Sequence, residues 1–207
     1  MLVKHCMTPN PITVTPDEDV KATFNMLKEY GFRQVPVVEN GQLTGMVTDR
    51  DMRAGLAQPS LKVGEVMSSN PVTIWEDAPV EKAAEIIRKH KFNALPVISK
   101  RGELIGIITT TDILEGFYNL LNFHEEPMRI QVKITEGVNL YDVLRLLQIC
   151  SDKVLSFSAS KESSDKFYFW LVECDFEKLD RKLREKELNH RVTYWKETPD
   201  RVPESLR

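Results

Sequence analysis

The sequence predicts a mixed α/β protein in which two βαββα repeats pack as a pseudo-two-fold module and a βαββαβ domain follows them. Two observations lead to this prediction: the segment 3–56 recurs at 63–117, and the residues after 127 alternate between strand and helix periodicity. The predicted limits are 1–60 and 61–122 for the repeats, 123–127 for a linker, 128–198 for the last domain and 199–207 for a tail.

The internal repeat includes polar as well as apolar positions, so a shared amphipathic pattern does not explain it. The copies are offset by 60 residues up to Asn40 and by 61 after one inserted residue. A unit of about 55 residues is marginal by itself, so we expect the two copies to pack against each other. The matching pairs include Met7/Met67, Asn10/Asn70, Pro11/Pro71, Thr13/Thr73, Phe32/Phe92, Pro36/Pro96, Gly45/Gly106, Thr48/Thr109 and Asp51/Asp112.

The first helix of each repeat follows a short extended segment, which in the first copy is 12–14. Thr15 is the predicted N-cap, with Pro16 in the first helical position and Glu18 completing a capping box. Gly31 is the predicted end of this helix, because glycine adopts the left-handed conformation at helix ends.

A hairpin and a second helix complete the repeat. The β-rich segments 34–39 and 43–48 meet at Asn40-Gly41, a sequence that favours a tight turn, and Asp51 is predicted to open a helix over 52–56. In the second copy the corresponding predictions are a helix from 80, a hairpin of 95–98 and 104–109, and a closing helix over 112–123.

The residues after the repeats predict a ferredoxin-like order of elements. The predicted elements are strand 128–135, a helix beginning at Leu140, strands 154–160 and 167–174, helix 176–188 and strand 191–195.

Composition excludes several classes of protein. The net charge of −3 argues against a nucleic-acid or anionic-membrane partner, and no apolar run is long enough for a membrane helix or signal peptide, so we expect a cytoplasmic protein. The three cysteines and four histidines are scattered without metal-ligand spacing, and no catalytic motif is present. The sequence therefore predicts neither a metal site nor an enzyme.

The motifs MTPNPITV and MSSNPVTI, FRQVPVV and FNALPVI, and GMVTDRD and GIITTTD together resemble a tandem pair of CBS domains, a Bateman module, over residues 1 to about 120. The resemblance implies two clefts that hold adenosyl ligands: AMP, ADP or ATP, or else S-adenosylmethionine or NADH. It implies that Thr13, Thr48 and Asp51 line one cleft, and that Thr73, Thr109 and Asp112 line the other.

Each implied site residue has a chemical role and a structural alternative. An aspartate can accept both hydroxyl hydrogens of a ribose, and a threonine beside helix amides can bind a phosphate oxygen, but the same residues also serve as helix caps. Arg33 and Arg50 are the candidates for phosphate contact, or are solvated surface charges. Asn93 and Thr111 stand in their places in the second copy, which predicts unequal clefts. Trp75 either stacks on the base of a ligand or packs against neighbouring side chains of the protein.

The C-terminal domain resembles an ACT domain through ITEGVNLYDVL, although the usual Asp-Arg-Pro-Gly is reduced to its glycine. Gly137 and Asn139 are the candidate ligand residues there, and pairing of such domains in a homodimer is the other expectation. The order CBS-CBS-ACT is similar to that of the acetoin-utilisation (AcuB) group of regulatory proteins. We therefore expect a nucleotide-sensing protein that regulates an unidentified protein partner, with a dimerisation scaffold whose clefts are empty or filled, for example by Trp75 or Met67, as the alternative.

Overall fold

The computed structural model describes residues 1–56, 58, 60–125 and 127–194, which belong to two compact units, Met1–Phe117 and Tyr118–Arg207. The elements that begin in the first unit are β1 (Thr8–Pro9), α1 (Val20–Tyr30), β2 (Gln34–Glu39), β3 (Gln42–Thr48), α2 (Asp49–Gly55), α3 (Val63–Val66), β4 (Ser68–Ser69), β5 (Ile74–Trp75), α4 (Val80–His90), β6 (Ala94–Ile98), β7 (Leu104–Thr109) and α5 (Thr110–Leu120).

The two repeats exchange their first strands. Strand β1, from the first repeat, pairs antiparallel with β7 of the second, where Thr8 lies opposite Ile107. In the same way β4, from the start of the second repeat, pairs with β3 of the first, where Ser68 lies opposite Met46. The sheets are therefore β1-β7-β6-β5 and β2-β3-β4. Neither repeat completes its sheet with its own residues alone.

Each hydrophobic core also contains a residue from the other repeat. Val3, which precedes β1, is fully buried in the core of the second repeat together with Leu95, Val97 and Ile108. Val63 is likewise buried in the core of the first repeat. Because each core takes residues from the segment that leads into the other repeat, the two repeats stabilise each other.

The first helix begins later than predicted. Asp19 is the N-cap of α1 and accepts a hydrogen bond from the backbone N–H of Ala22, so the prediction of Thr15 as N-cap and Pro16 in the first turn is wrong. Residues 15–18 form a turn, in which Glu18 accepts from the backbone N–H of Thr15. A contact with the second repeat fixes this turn, because the backbone N–H of Gly64 donates to the carbonyl of Pro16. The predicted helix end at Gly31 is confirmed, with φ of 70°.

The second helix also begins elsewhere than predicted. Helix α2 starts at Asp49 with Thr48 as N-cap, so Asp51 is in the third helical position and does not open the helix. The hairpin turn at Asn40-Gly41 is confirmed, because both residues have the positive φ that a tight turn between twisted strands requires. In the second repeat α5 covers Thr110–Leu120, whereas a helix over 112–123 was expected.

The second unit has the predicted βαββαβ order. Its elements are β8 (Met128–Lys133), α6 (Leu140–Cys150), β9 (Ser151–Ala159), β10 (Lys166–Cys174), α7 (Phe176–Glu185) and β11 (Asn189–Tyr194). The antiparallel sheet has the strand order β11-β8-β10-β9.

One face of this sheet carries the core of the second unit. Ile130, Val132, Phe169 and Leu171 are fully buried in one cluster with residues of α6 and α7. Since side chains alternate along a strand, the intervening residues of β8 and β10 face the other side. Trp195, the predicted end of the last strand, and the predicted tail 199–207 lie outside the described residues. Within the described part of the chain, no helix is both long and apolar enough to cross a membrane.

Candidate functional site

A cleft in the first unit is built from both repeats. Its volume is about 350 Å³, large enough to receive the flat ring of a small organic molecule. The first repeat supplies the segment around β1 and the start of β2, and the second repeat supplies the end of β7. The residues that line it are Thr8, Asn10, Pro11, Ile12, Phe32, Gln34, Pro36, Ile107 and Thr109.

The walls of the cleft are mainly apolar. Ile12 and Phe32 keep 41% and 42% of their surface exposed, although side chains of this kind gain most by burial. The ring of Phe32 stacks on Tyr30 with 5.5 Å between centroids, which holds it in place. Phe92 stacks on His90 in the same way at 5.4 Å. Each repeat therefore presents an exposed, pre-positioned aromatic ring at the start of its hairpin.

A capping box lies at the end of the cleft formed by the second repeat. The Oδ2 atom of Asp112 accepts hydrogen bonds from the backbone N–H of Thr109 at 2.7 Å and from the Thr109 hydroxyl at 2.8 Å. The backbone N–H of Asp112 donates to the Thr109 hydroxyl oxygen at 3.2 Å. Asp112 itself is not among the residues that line the cleft, but the hydrogen bonds that its carboxylate accepts from Thr109 use Oδ2, and a carboxylate has about four acceptor positions. Capping and ligand binding are therefore compatible.

The first repeat contains the same arrangement. Thr48 and Asp51 form a capping box with distances of 2.9 Å from the backbone N–H and 2.7 Å from the hydroxyl to Oδ2. The duplicated motif T-x-x-D thus gives the same local geometry twice.

The helix amides are less available than the sequence suggested. The backbone N–H of Thr110 donates to the carbonyl of Asn93 at 3.0 Å, and that of Asp112 is used by Thr109. Among the first three amides of α5, only that of Thr111 has no partner in the described part of the chain.

The strand exchange brings the start of the first repeat to the end of the second hairpin. Thr13 was expected in one cleft with Thr48 and Asp51, but the segment just before it, Asn10–Ile12, lines a cleft with Thr109. The physical reason is the strand exchange, which carries the start of each repeat to the end of the other hairpin. By the same exchange, the start of the second repeat, where Thr73 lies, approaches the Thr48 end.

Of the predicted nucleotide-site residues that the structure describes, Thr109 alone is among the residues that line this cleft, and Thr48, Asp51 and Asp112 are not. Arg33 is exposed between Phe32 and Gln34, which do line it, and Thr13, Arg50, Asn93 and Thr111 are exposed as well, while Thr73 is half-buried. Trp75 is 52% exposed in β5, and neither it nor Met67 fills the cleft. The cleft is therefore open.

Sequence reasoning did not single out Phe32 and Ile107, which line the cleft together with Ile12. Gln34 and Asn10 add polar groups to the lining. The available signal was the aromatic residue repeated at Phe32 and Phe92, but a sequence alone does not tell whether such a residue is buried.

The candidates in the C-terminal unit have local structural roles. Asn139 caps α6 and accepts from the backbone N–H of Asp142 at 3.0 Å, while Gly137 forms a turn with φ of 85°. In the described residues, no cluster of histidine, cysteine or carboxylate side chains is suited to a metal ion.

The fold and the cleft define a tandem α/β repeat module whose ligand-sized opening is shared between repeats. The sequence model of the CBS domain family matches residues 3–58 and 63–119, which together make up more than half of the chain. The chain therefore belongs to the CBS domain family. A CBS domain-containing protein of Dictyostelium discoideum is 35% identical over 136 residues, covering 58% of this chain and 94% of that protein. An inosine-5'-monophosphate dehydrogenase of Korarchaeum cryptofilum is 34% identical over 121 residues, but the match spans only 25% of its length.

Solved structures of CBS pairs resemble the first unit. CBSX2 in complex with AMP matches with a TM-score of 0.54 and 28% identity, over 57% of this chain and 97% of that one. The CBS pair of protein MJ0100, in complex with 5'-methylthioadenosine and S-adenosyl-L-methionine, matches with a TM-score of 0.53 and 29% identity, over 57% and 97%. A structure assigned to an acetoin utilization protein (AcuB) from Vibrio cholerae matches with a TM-score of 0.55 and 30% identity, over 61% and 96%.

Proposed function

We propose that this chain is a regulatory protein that binds an adenosyl compound, of the AMP, ADP or ATP class, in the cleft between its repeats. The observation that carries the proposal is an open cleft with apolar and aromatic walls that ends at the Thr109–Asp112 capping box. The AMP-bound and S-adenosylmethionine-bound structures of similar CBS pairs support the ligand class.

The proposed binding mode follows from the chemistry of the walls. The adenine ring packs between Phe32 on one side and Ile12 and Ile107 on the other, where its faces leave water. The ribose hydroxyls donate to Oδ1 of Asp112, as a charge-assisted hydrogen bond. The Thr111 amide is left for an oxygen of the phosphate tail.

A ligand in this position would act on the packing of the repeats. The walls of the cleft come from both repeats, so the affinity of the ligand depends on how the repeats are arranged. The arrangement that the ligand binds better becomes more populated. Coupling of this kind is typically about 1–3 kcal/mol. We propose that the resulting change is transmitted to a protein partner. The similarity to the AcuB structure supports acetoin utilisation as the regulated process, and a homodimer as the functional form remains part of the proposal.

Calorimetry with AMP, ADP, ATP, S-adenosylmethionine and NADH tests the proposal. We expect one of these ligands to bind the full chain, and Asp112→Ala to weaken it by roughly ten- to a hundredfold, because a charged hydrogen bond is lost. A matched control is Asp142→Ala, which removes the equivalent carboxylate of the capping box on α6 in the other unit. It removes a capping contact of the same kind, but leaves ligand affinity unchanged.

Two results would contradict the proposal. One is the absence of heat with every ligand, which would leave the scaffold function. The other is equal weakening by Asp112→Ala and Asp142→Ala, because the effect would then report stability and not contact with the ligand.

A further inference from the structure

The outer face of the C-terminal sheet carries a concave polar surface that the cleft between the repeats does not explain. Its volume is about 260 Å³, the space of roughly eight or nine water molecules. We call it the two-arginine pocket. It is lined by Arg129, Gln131, Tyr168, Arg191 and Thr193.

The strand register brings these side chains together. Arg191, Gln131 and Tyr168 are direct neighbours across β11, β8 and β10, and Thr193 and Arg129 are neighbours in the next row. The two arginines are therefore diagonal neighbours, with backbones about 7–8 Å apart, a separation that long side chains bridge easily. Both can reach one ligand on this face.

The orientation of one arginine is restricted by an aromatic ring. The guanidinium carbon of Arg129 lies 4.3 Å from the centroid of the Tyr168 ring. A cation–π contact is not a hydrogen bond to an acceptor, and no hydrogen bond within the described residues uses the guanidinium N–H groups of Arg129. A guanidinium held in this way loses less conformational freedom when it binds a planar oxyanion.

The charge on this face is unbalanced. The rows beside the pocket also carry Lys133 and Lys166, and of these Lys133 pairs with Asp165 at 3.4 Å. Within the described part of the chain, neither Arg129 nor Arg191 forms an ion pair with a carboxylate. Two uncompensated guanidiniums thus converge on one polar concavity, although the chain as a whole has a net charge of −3.

From this arrangement we infer that the two-arginine pocket binds a small oxyanion, a carboxylate or a phosphate group, between Arg129 and Arg191. Guanidinium forks match such groups in a bidentate manner. The hydroxyls of Tyr168 and Thr193 and the amide of Gln131 donate to the remaining oxygens. The volume suits a small metabolite and is below the range of drug-sized pockets, which begins at about 300 Å³.

NMR titration of the full ¹⁵N-labelled chain tests the inference, with inorganic phosphate and succinate as separate probes at constant ionic strength. We expect saturable shifts in β8, β10 and β11 with at least one probe, phosphate alone indicating a phosphoryl ligand and succinate alone a carboxylate. Arg129→Gln and Arg191→Gln should each weaken binding at least tenfold. Arg181→Gln, an equal change of charge at an exposed position of α7, is the matched control and should leave binding unchanged.

Three outcomes would overturn the inference. The first is no saturable shift with either probe. The second is equal weakening by Arg181→Gln, which would indicate only a general charge effect. The third is a change in oligomeric state with Arg191→Gln, measured by light scattering, without binding of either probe, because this face would then be an interface between copies of the chain.

Discussion

Replacing Gly106 by alanine tests whether the exchanged strand determines the stability of the first unit. A Cβ atom at Gly106 would lie 2.5 Å from Sδ and 3.1 Å from Cγ of Met7, and 3.1 Å from the carbonyl oxygen of Thr8. The flexible methionine can move away, but the carbonyl belongs to β1 and is fixed by its pairing with β7. We therefore expect the alanine to displace β1.

The size of the effect follows from two opposing contributions. Overpacking of this kind costs about 1–3 kcal/mol, whereas replacing glycine by alanine restricts the unfolded chain and recovers about 0.4–1 kcal/mol. The net loss is about 1–2 kcal/mol, which lowers the Tm by roughly 3–8 °C for a unit of this size. Because Thr8 and Asn10 line the cleft, affinity for the adenosyl ligand should fall as well.

A double-mutant cycle with Met7→Ala, measured by urea unfolding, separates the side-chain contact from the backbone contact. In the Met7→Ala background the contact with the Thr8 carbonyl remains, so Gly106→Ala should keep most of its cost of about 1–2 kcal/mol. Loss of the cost in the Met7→Ala background, or no cost in the natural one, would refute the reasoning. Gly45→Ala is an internal comparison, because its Cβ would meet Met67 in the same manner.

Two further predictions concern titrating groups of the second unit. Arg184 and His190, which hydrogen-bond to Asp180, lower the pKa of that carboxyl, so the stability it contributes is complete above the unfolded-state pKa of about 3.9 and is lost as pH falls below it. The difference in urea midpoint between the natural protein and Asp180→Asn should thus be largest above about pH 5 and shrink toward pH 3; a difference that does not change with pH would contradict this. Burial raises the pKa of the Cys174 thiol to about 11, so at pH 8 about one molecule in a thousand is thiolate there. Alkylation by iodoacetamide, followed by peptide mass spectrometry, should therefore be at least a hundredfold slower at Cys174 than at an unperturbed cysteine, and an equal rate would contradict the assignment.

The elements predicted best from sequence are those whose signals are local. The turn at Asn40-Gly41 and the helix end at Gly31 depend on the conformations that these residues tolerate by themselves. The start of α1 was predicted wrongly, because Thr15 and Glu18 do hydrogen-bond locally but within a turn. That turn is selected by the contact of Pro16 with Gly64, which is distant in sequence.

The candidate site shows the same limit. The capping boxes at Thr48 and Thr109 follow from the four-residue motif T-x-x-D, which is visible in both repeats of the sequence. Their assignment to clefts stays a prediction, and local motifs do not show that Asn10–Ile12 of the first repeat and Thr109 of the second line the same cleft. The strand exchange depends on pairings between repeats, such as Thr8 with Ile107 and Met46 with Ser68, which no local pattern encodes.

The interlocked leading segments also bear on cooperativity. A half cut out at residue 60 would lack both an edge strand and a core side chain, Val3 or Val63, which only the other half provides. Neither half is therefore a complete folding unit, and the two should melt in a single transition. A ligand that stabilises one half therefore stabilises the other, so ligand binding in one cleft should raise the unfolding free energy of the whole unit Met1–Phe117.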